Sequence, residues 1–138
     1  MSDRRYMLDT NIVSHMIRYP DGPAVKQASL AGEENLCVSA LVASELRYGA
    51  AKRGSKRLTA LIENILKRLD VIPYDDLASH RYAAIRSELA RSGNLIGPVD
   101  LFIAAHALAL DLTLITDNVR EFSRVGGLAV ENWLAEEA

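Results

Sequence analysis

The chain lacks several features that define common protein classes. It has a single cysteine, Cys37, so no internal disulfide can form and a reducing cytoplasm is the expected compartment. Its longest apolar stretch, residues 103–110, is interrupted by His106 and is much shorter than the ~20 residues of a membrane-crossing helix. The apolar segment at residues 6–8 is too short for the apolar region of a signal peptide. We therefore expect a cytoplasmic protein without a membrane partner.

Length and composition are those of an ordinary globular domain. Hydrophobic residues make up 49% of the chain and charged residues 25%, as in typical soluble domains. A chain of 138 residues is one domain long, since domains commonly contain ~100–150 residues. Residues 1–138 are therefore interpreted as a single domain.

Basic residues cluster in one segment although the net charge is −2. Five fall within eleven residues, namely Arg47, Lys52, Arg53, Lys56 and Arg57. Such a run is usually a solvated helix face, and the alternative is a surface that contacts phosphates. In the second case Arg47, Lys52 and Arg53 are candidate RNA contacts, with Arg86 as a further one on a later helix.

Short apolar segments alternate with longer amphipathic ones. Strands are predicted at 6–8, 36–38, 71–73, 112–116 and 128–130. The helices between them are predicted to begin at Thr10 or Asn11, Pro23, Ser39, residue 58, Asp75 and Pro98, and a short helical turn is predicted after Asn118. Leu77 is placed in the buried stripe of the fifth helix. This alternation predicts an α/β fold with a mostly parallel sheet of about five short strands, covered by helices on both faces.

Four acidic residues stand at positions that suggest a common site. Asp9 and Asp117 each follow a predicted strand directly, and ligands of parallel α/β sheets bind outside the carboxyl ends of the strands. Asp100 lies in the first turn of the apolar helix that Pro98 opens, and Glu45 lies among core-type positions of the third helix. Each acid alone could be a cap, a turn former or a surface residue.

Together the four acids point to a metal site. Clustered carboxylates repel one another, and a divalent cation can neutralise that repulsion. An all-oxygen ligand set without zinc-like Cys and His spacing favours Mg²⁺, with Mn²⁺ as a substitute. Outside the four acids, 14 acidic residues face 16 basic ones, which leaves a mildly basic surround of charge +2. Such sites support phosphodiester hydrolysis.

Four motifs resemble those of PIN domains in order and spacing, and most of all those of VapC-type toxins. They are Met7-Leu8-Asp9-Thr10-Asn11, Ser44-Glu45-Leu46-Arg47-Tyr48-Gly49, Gly97-Pro98-Val99-Asp100-Leu101-Phe102-Ile103-Ala104-Ala105-His106-Ala107 and Thr116-Asp117-Asn118-Val119-Arg120-Glu121-Phe122. The resemblance covers essentially the whole chain and implies a PIN-like three-layer fold.

The resemblance also implies an activity and partners. It implies a Mg²⁺-dependent endoribonuclease toxin that acts on structured RNA, commonly tRNA, inhibits translation and is neutralised by a VapB-type antitoxin. Such toxins are commonly homodimers and reach DNA only through the antitoxin. The catalytic acids carry over onto Asp9, Glu45, Asp100 and Asp117, and the supporting polar positions onto Asn11, Thr116 and Asn118. Some relatives have an acid where this chain has Asn118, which bears on how a second metal is held.

The chemistry of the four acids suggests a role for each. Asp9 and Asp100 are expected to be the main metal ligands, with Asp117 bound directly or through water. Glu45 is suited to a second metal or to orienting the attacking water. In-line attack on phosphorus would leave a 5′-phosphate and a 3′-hydroxyl. His106, within a very apolar helix, is interpreted as a packed residue rather than a general base.

Two other functions remain open on the sequence. One is a low-turnover PIN subunit of a DNA-binding regulatory complex. The other is a phosphotransfer domain with Asp9 as nucleophile. That chemistry would favour an acid at position 11, where this chain has Asn11, and a lysine soon after the later strand, where none follows Asp117 closely.

Overall fold

A parallel five-stranded sheet forms the centre of the computed structural model, which describes residues 4–134. The strands are β1 (Tyr6–Leu8), β2 (Leu36–Ser39), β3 (Val71–Ile72), β4 (Thr113–Ile115) and β5 (Val130–Glu131). The helices are α1 (Thr10–Arg18), α2 (Pro23–Ala31), α3 (Ala40–Arg53), α4 (Lys56–Leu69), α5 (Asp76–Ser92), α6 (Pro98–Ala109) and α7 (Val119–Phe122), with a 3₁₀ turn at Glu33–Asn35. The α/β architecture predicted from the sequence is confirmed.

The order of the strands places β1 in the middle of the sheet. The order is β3-β2-β1-β4-β5, and every pair is parallel. Met7 lies opposite Cys37 on one side and Leu114 on the other. Since parallel strands end at the same edge, the residues that follow β1, β2 and β4 must meet there.

The most apolar helix lies in the core beside this edge. In α6, Leu101, Ile103, Ala104, Ala105 and Ala107 are buried, as expected of a helix that is apolar on nearly all sides. Pro98 occupies its first turn, where a missing backbone N–H costs nothing. This start places Asp100 at the amino end of a helix whose position is set by core packing.

Three details differ from the sequence-based expectations. Asp9, not Thr10 or Asn11, is the N-cap of α1. The last strand begins at Val130 rather than at residue 128, because the turn after Val125 extends to Leu128 through a backbone hydrogen bond. Leu77 is 65% exposed, since the buried stripe of α5 runs instead through residues 78, 85 and 89.

Two further side chains, Trp133 and Cys37, belong to the core. Trp133 is buried and packs against Tyr6 with ring centroids 5.5 Å apart, so it fixes the C-terminal segment to β1. Cys37 is buried in the core. Within residues 4–134, no helix has the length and apolar character needed to cross a bilayer.

Candidate active site

Asp9 occupies the centre of the carboxyl edge of the sheet. It follows β1 and caps α1, and its Oδ1 accepts a hydrogen bond from the Thr10 backbone N–H at 2.8 Å. Its Oδ2 accepts one from the Thr116 hydroxyl at 2.8 Å. Burial raises the pKa of Asp9; these hydrogen bonds oppose that shift, and the charges of Glu45 and Asp117 add to it.

Glu45 reaches the same place from α3. Ser39 caps this helix by accepting a hydrogen bond from the Leu41 N–H at 3.1 Å, and Glu45 lies in the second turn on the side facing α1. Its Oε1 accepts a hydrogen bond from the Thr10 hydroxyl at 3.1 Å. Thr10 therefore contacts two of the acids, through its backbone N–H and through its hydroxyl.

Asp117 lies just beyond β4 at the exposed side of the edge. Its Oδ1 accepts a hydrogen bond from Asn11 Nδ2 at 3.2 Å. The buried Thr116 before it accepts a hydrogen bond from the Asn118 N–H at 3.1 Å while donating to Asp9. The hydroxyl of Thr116 thus has a fixed direction, and it connects the ends of β1 and β4.

Asp100 interacts with Glu121, a carboxylate that the sequence analysis does not assign to the site. The carboxyl groups of Asp100 and Glu121 are hydrogen bonded to each other. Burial, then the charge of Glu121, and then those of Asp9 and Glu45, raise the pKa of Asp100 to about 7. Hydrogen bonds to Glu121 from the Gly97 N–H, at 2.7 Å, and from Asn118 Nδ2 lower the pKa of Glu121.

The structure therefore brings together all four predicted acids and adds a fifth. The sequence analysis does not assign Glu121 to the site, because its place there depends on a contact with the Gly97 N–H, 24 residues away in the chain. Asn11, Thr116 and Asn118 each donate a hydrogen bond to one of these acids, in agreement with the expected supporting positions.

The acidic side chains of the site are ligands of the chemical type that a hard divalent cation prefers. Every candidate ligand is a carboxylate oxygen, and burial, then the charges of neighbouring carboxylates, raise the pKa values of Asp9 and Asp100. Across residues 4–134, no three Asp, Glu, His or Cys side chains are already oriented to hold one ion. Binding would therefore require side chains of the cluster to rearrange.

Of the four basic residues proposed to contact RNA, Arg53 shares a groove with residues of the site. It lines a groove of about 580 Å³ whose walls also contain Thr10 and Glu45. Arg47 instead forms an exposed ion pair with Glu63 at 2.9 Å, and Arg86 hydrogen bonds to the Tyr82 hydroxyl at 2.7 Å. Lys52 is exposed on α3.

Fold and site together define a PIN-like α/β protein, with a parallel sheet whose carboxyl edge is surrounded by acids. The PIN domain family model matches residues 6–128. The chain therefore belongs to the PIN domain family, and within it to the VapC group.

Similar proteins align with this chain over nearly its whole length. The tRNA(fMet)-specific endonuclease VapC of Shigella flexneri is 42% identical over 130 residues, which are 94% of this chain and 98% of that protein. Ribonuclease VapC2 of Rickettsia felis is 38% identical over 93% of this chain and 97% of its own length. DNA-bound VapBC from Salmonella typhimurium aligns with a TM-score of 0.87 at 37% identity, covering 94% of this chain and 98% of that one.

Proposed function

We propose that the chain is a Mg²⁺-dependent endoribonuclease toxin that cleaves structured RNA, most simply a tRNA, and so inhibits translation. The main support is the meeting of Asp9, Glu45, Asp100 and Asp117 at one edge of the sheet. The names of the relatives, an endonuclease specific for tRNA(fMet) and a ribonuclease, agree with this class of activity.

In this proposal Asp9 and Asp100 are the main ligands of the metal. Asp117 is a third, and Glu45 holds a second ion or orients the attacking water. We add Glu121, which holds Asp100 from the side of α7. Bound Mg²⁺ would supply Lewis acidity and charge neutralisation for hydrolysis to a 5′-phosphate and a 3′-hydroxyl.

The protein's own groups prepare this site without a metal. Thr116 and the Thr10 N–H fix both oxygens of Asp9, so one ligand is oriented before any ion arrives. Thr10 fixes Glu45, and Asn11 fixes Asp117. Such preorganisation limits the rearrangement required on binding.

A VapB-type antitoxin is proposed as the partner, with DNA bound only through it. The structural relatives from Salmonella typhimurium and Rickettsia felis are VapBC complexes bound to DNA. We place the antitoxin's inhibitory tail in the groove beside Glu45, with an arginine directed at the acids, because a guanidinium matches paired carboxylates. We also propose that the toxin is a homodimer.

Expression in bacteria without the partner tests the proposal. Wild type is expected to arrest growth and Asp9→Asn is not, because neutral Asn keeps the shape of the side chain but not its charge. Asp111→Asn is the matched control, since Asp111 is exposed beyond α6 and has φ 55°, a conformation that Asn tolerates. It should arrest growth like wild type.

Purified protein then separates the two candidate functions. RNA 5′-end mapping should show discrete cuts that require Mg²⁺ and disappear in Asp9→Asn. If wild type cuts no RNA but its complex with the antitoxin still binds promoter DNA, the low-turnover regulatory subunit is the better description. Equal growth of wild type and Asp9→Asn would reject the toxin.

A further inference from the structure

A buried hydrogen bond between His106 and Ser39 joins two helices that each contribute an acid to the site. The Nδ1 atom of His106 lies 2.8 Å from the Oγ of Ser39. Both side chains are fully buried, with 0% of their surface exposed. A hydrogen bond between two buried polar groups is stronger than one exposed to water. Loss of either partner leaves the other polar group buried without a hydrogen bond, which destabilises the fold.

The hydrogen bonds around Ser39 favour one direction for this bond. Its Oγ already accepts from the Leu41 N–H, which makes Ser39 the cap of α3. We infer that the Ser39 hydroxyl donates to Nδ1, which places the ring proton of His106 on Nε2, an atom with no hydrogen-bond partner among the described residues. Burial, the largest influence, lowers the pKa of His106 and favours the neutral ring that this assignment requires.

The bond connects the start of α3, which contains Glu45, with α6, which contains Asp100. Ser39 ends β2 and begins α3, on which Glu45 follows in the second turn. His106 lies six residues after Asp100 on α6, a distance of ~9 Å along the helix axis. The charges of Glu45 and Asp9 raise the pKa of Asp100, so both repel its charged form. The buried bond holds together two helices whose acids repel.

We propose that His106 is a positioning residue for the metal site: through Ser39 it sets the spacing of α6 against α3, and thereby of Asp100 against Glu45. The inference rests on the proposed function, because it assumes that these acids bind Mg²⁺. His106 does not contact the reacting groups itself. Its effect should therefore appear in metal affinity more than in the rate at saturating metal.

Two substitutions at position 106 separate this role from simple packing. His106→Leu fills much of the same space but removes the acceptor, while His106→Asn is smaller but places Oδ1 close to where Nδ1 was. Leu69→Ala is the control for lost stability, because Leu69 is buried at the end of α4, next to the amino end of β2 and away from the acids. Ser39→Ala, alone and combined with His106→Leu, completes a double-mutant cycle.

The measurements are the melting temperature of the full chain against Mg²⁺ concentration, and the ¹⁵N shifts of the His106 ring. We expect His106→Leu to raise the half-saturating Mg²⁺ concentration about tenfold, as is common when a group that orients a metal ligand is removed. His106→Asn should stay within about threefold of wild type although it melts lower. Leu69→Ala should lower the melting temperature without moving the Mg²⁺ midpoint.

Each outcome has a defined meaning. If His106→Leu melts lower but keeps the wild-type Mg²⁺ midpoint, the histidine is structural and the proposal is wrong. A protonated Nδ1 in the ring spectrum would also overturn it. If Mg²⁺ does not raise the melting temperature of wild type at all, the proposed function is wrong. This inference is then wrong as well, because it depends on that function. Ser39→Ala also removes the cap of α3, so it should shift the midpoint at least as far as His106→Leu, and the two together should shift it no further than Ser39→Ala alone.

Discussion

Asp100 and Glu121 share a hydrogen bond although both are carboxyl groups. Such a pair needs one proton, and the surroundings decide which partner keeps it. Glu121 receives hydrogen bonds from the Gly97 N–H and from Asn118, which favour its charged form. Asp100 is near Asp9 and Glu45, whose negative charges disfavour its ionisation. Asp100 is therefore the partner that keeps the proton, with a pKa of about 7. A cation that binds here would displace that proton.

Asp100→Asn is expected to abolish RNA cleavage without unfolding the protein. The helix dipole favours a charge at Asp100 by only about 0.3–1 kcal/mol, whereas neighbouring carboxylates and burial disfavour it. Metal-free thermal melts at pH 8 should show a melting temperature equal to or above that of wild type. The Mg²⁺-induced rise in melting temperature should disappear. A much lower metal-free melting temperature would make Asp100 a structural residue instead.

The raised pKa of Asp100 predicts that the metal-free protein loses stability as pH rises. The folded pKa of about 7 exceeds the ordinary value of 3.8, so the folded state holds its proton more tightly than the unfolded chain does. This contribution is fully present below about pH 4 and is lost as pH rises through 7. Other groups also titrate, so the informative quantity is the difference between wild type and Asp100→Asn. The advantage of Asp100→Asn in melting temperature should grow from pH 5 to pH 8.

Thr116→Val is expected to destabilise the site and the fold together. It removes the donor to Asp9 Oδ2 and the acceptor for the Asn118 N–H, while the shape of the side chain is kept. Loss of a hydrogen bond to a buried carboxylate costs about 2 kcal/mol. Urea unfolding at pH 8 should show a decrease of this size in the free energy of unfolding. Thr116→Ser keeps the hydroxyl and is the matched control. Equal destabilisation by both variants would contradict the prediction, because Thr116→Ser keeps the hydroxyl that Thr116→Val removes.

Sequence patterns were sufficient to predict the sheet and the acids that follow its strands. Asp9 and Asp117 each come directly after a strand, and in a parallel sheet this alone determines the edge that they reach. Asp100 was found because Pro98 fixes where α6 begins. These inferences depend on local rules, and the convergence of the four acids confirms them.

Features that depend on contacts between distant segments were not predicted. Glu121 belongs to the site because the short α7 turns back to the Gly97 N–H, 24 residues away in the chain. The hydrogen-bond partner of the His106 ring, Ser39, lies 67 residues away, so the sequence could indicate burial but not the bond. Arg47 was a candidate RNA contact, yet it pairs with Glu63 on the neighbouring α4, which no local pattern reveals.

Glu121→Gln is expected to lower the pKa of Asp100 and to flatten the pH dependence of metal-free stability. The charge of Glu121 raises the pKa of Asp100, and the substitution removes that charge. The Gln carbonyl can still accept from the Gly97 N–H, and its amide can donate to a charged Asp100, which favours ionisation further. Asn118 loses its acceptor but is exposed, so water can replace it.

An NMR titration of the Asp100 carboxyl in the metal-free protein measures this shift directly. The midpoint should fall from about 7 in wild type toward the ordinary value, and the melting temperature should change less between pH 5 and pH 8. Glu88→Gln is the control, because Glu88 is exposed on α5 and should leave the Asp100 midpoint unchanged. If Glu121→Gln leaves that midpoint at its wild-type value, burial and the charges of Asp9 and Glu45 set it, and Glu121 does not act on Asp100. A fall in the midpoint would establish Glu121 as the fifth acid of the cluster, since both the lost charge and the new amide hydrogen bond act only if residue 121 lies beside Asp100.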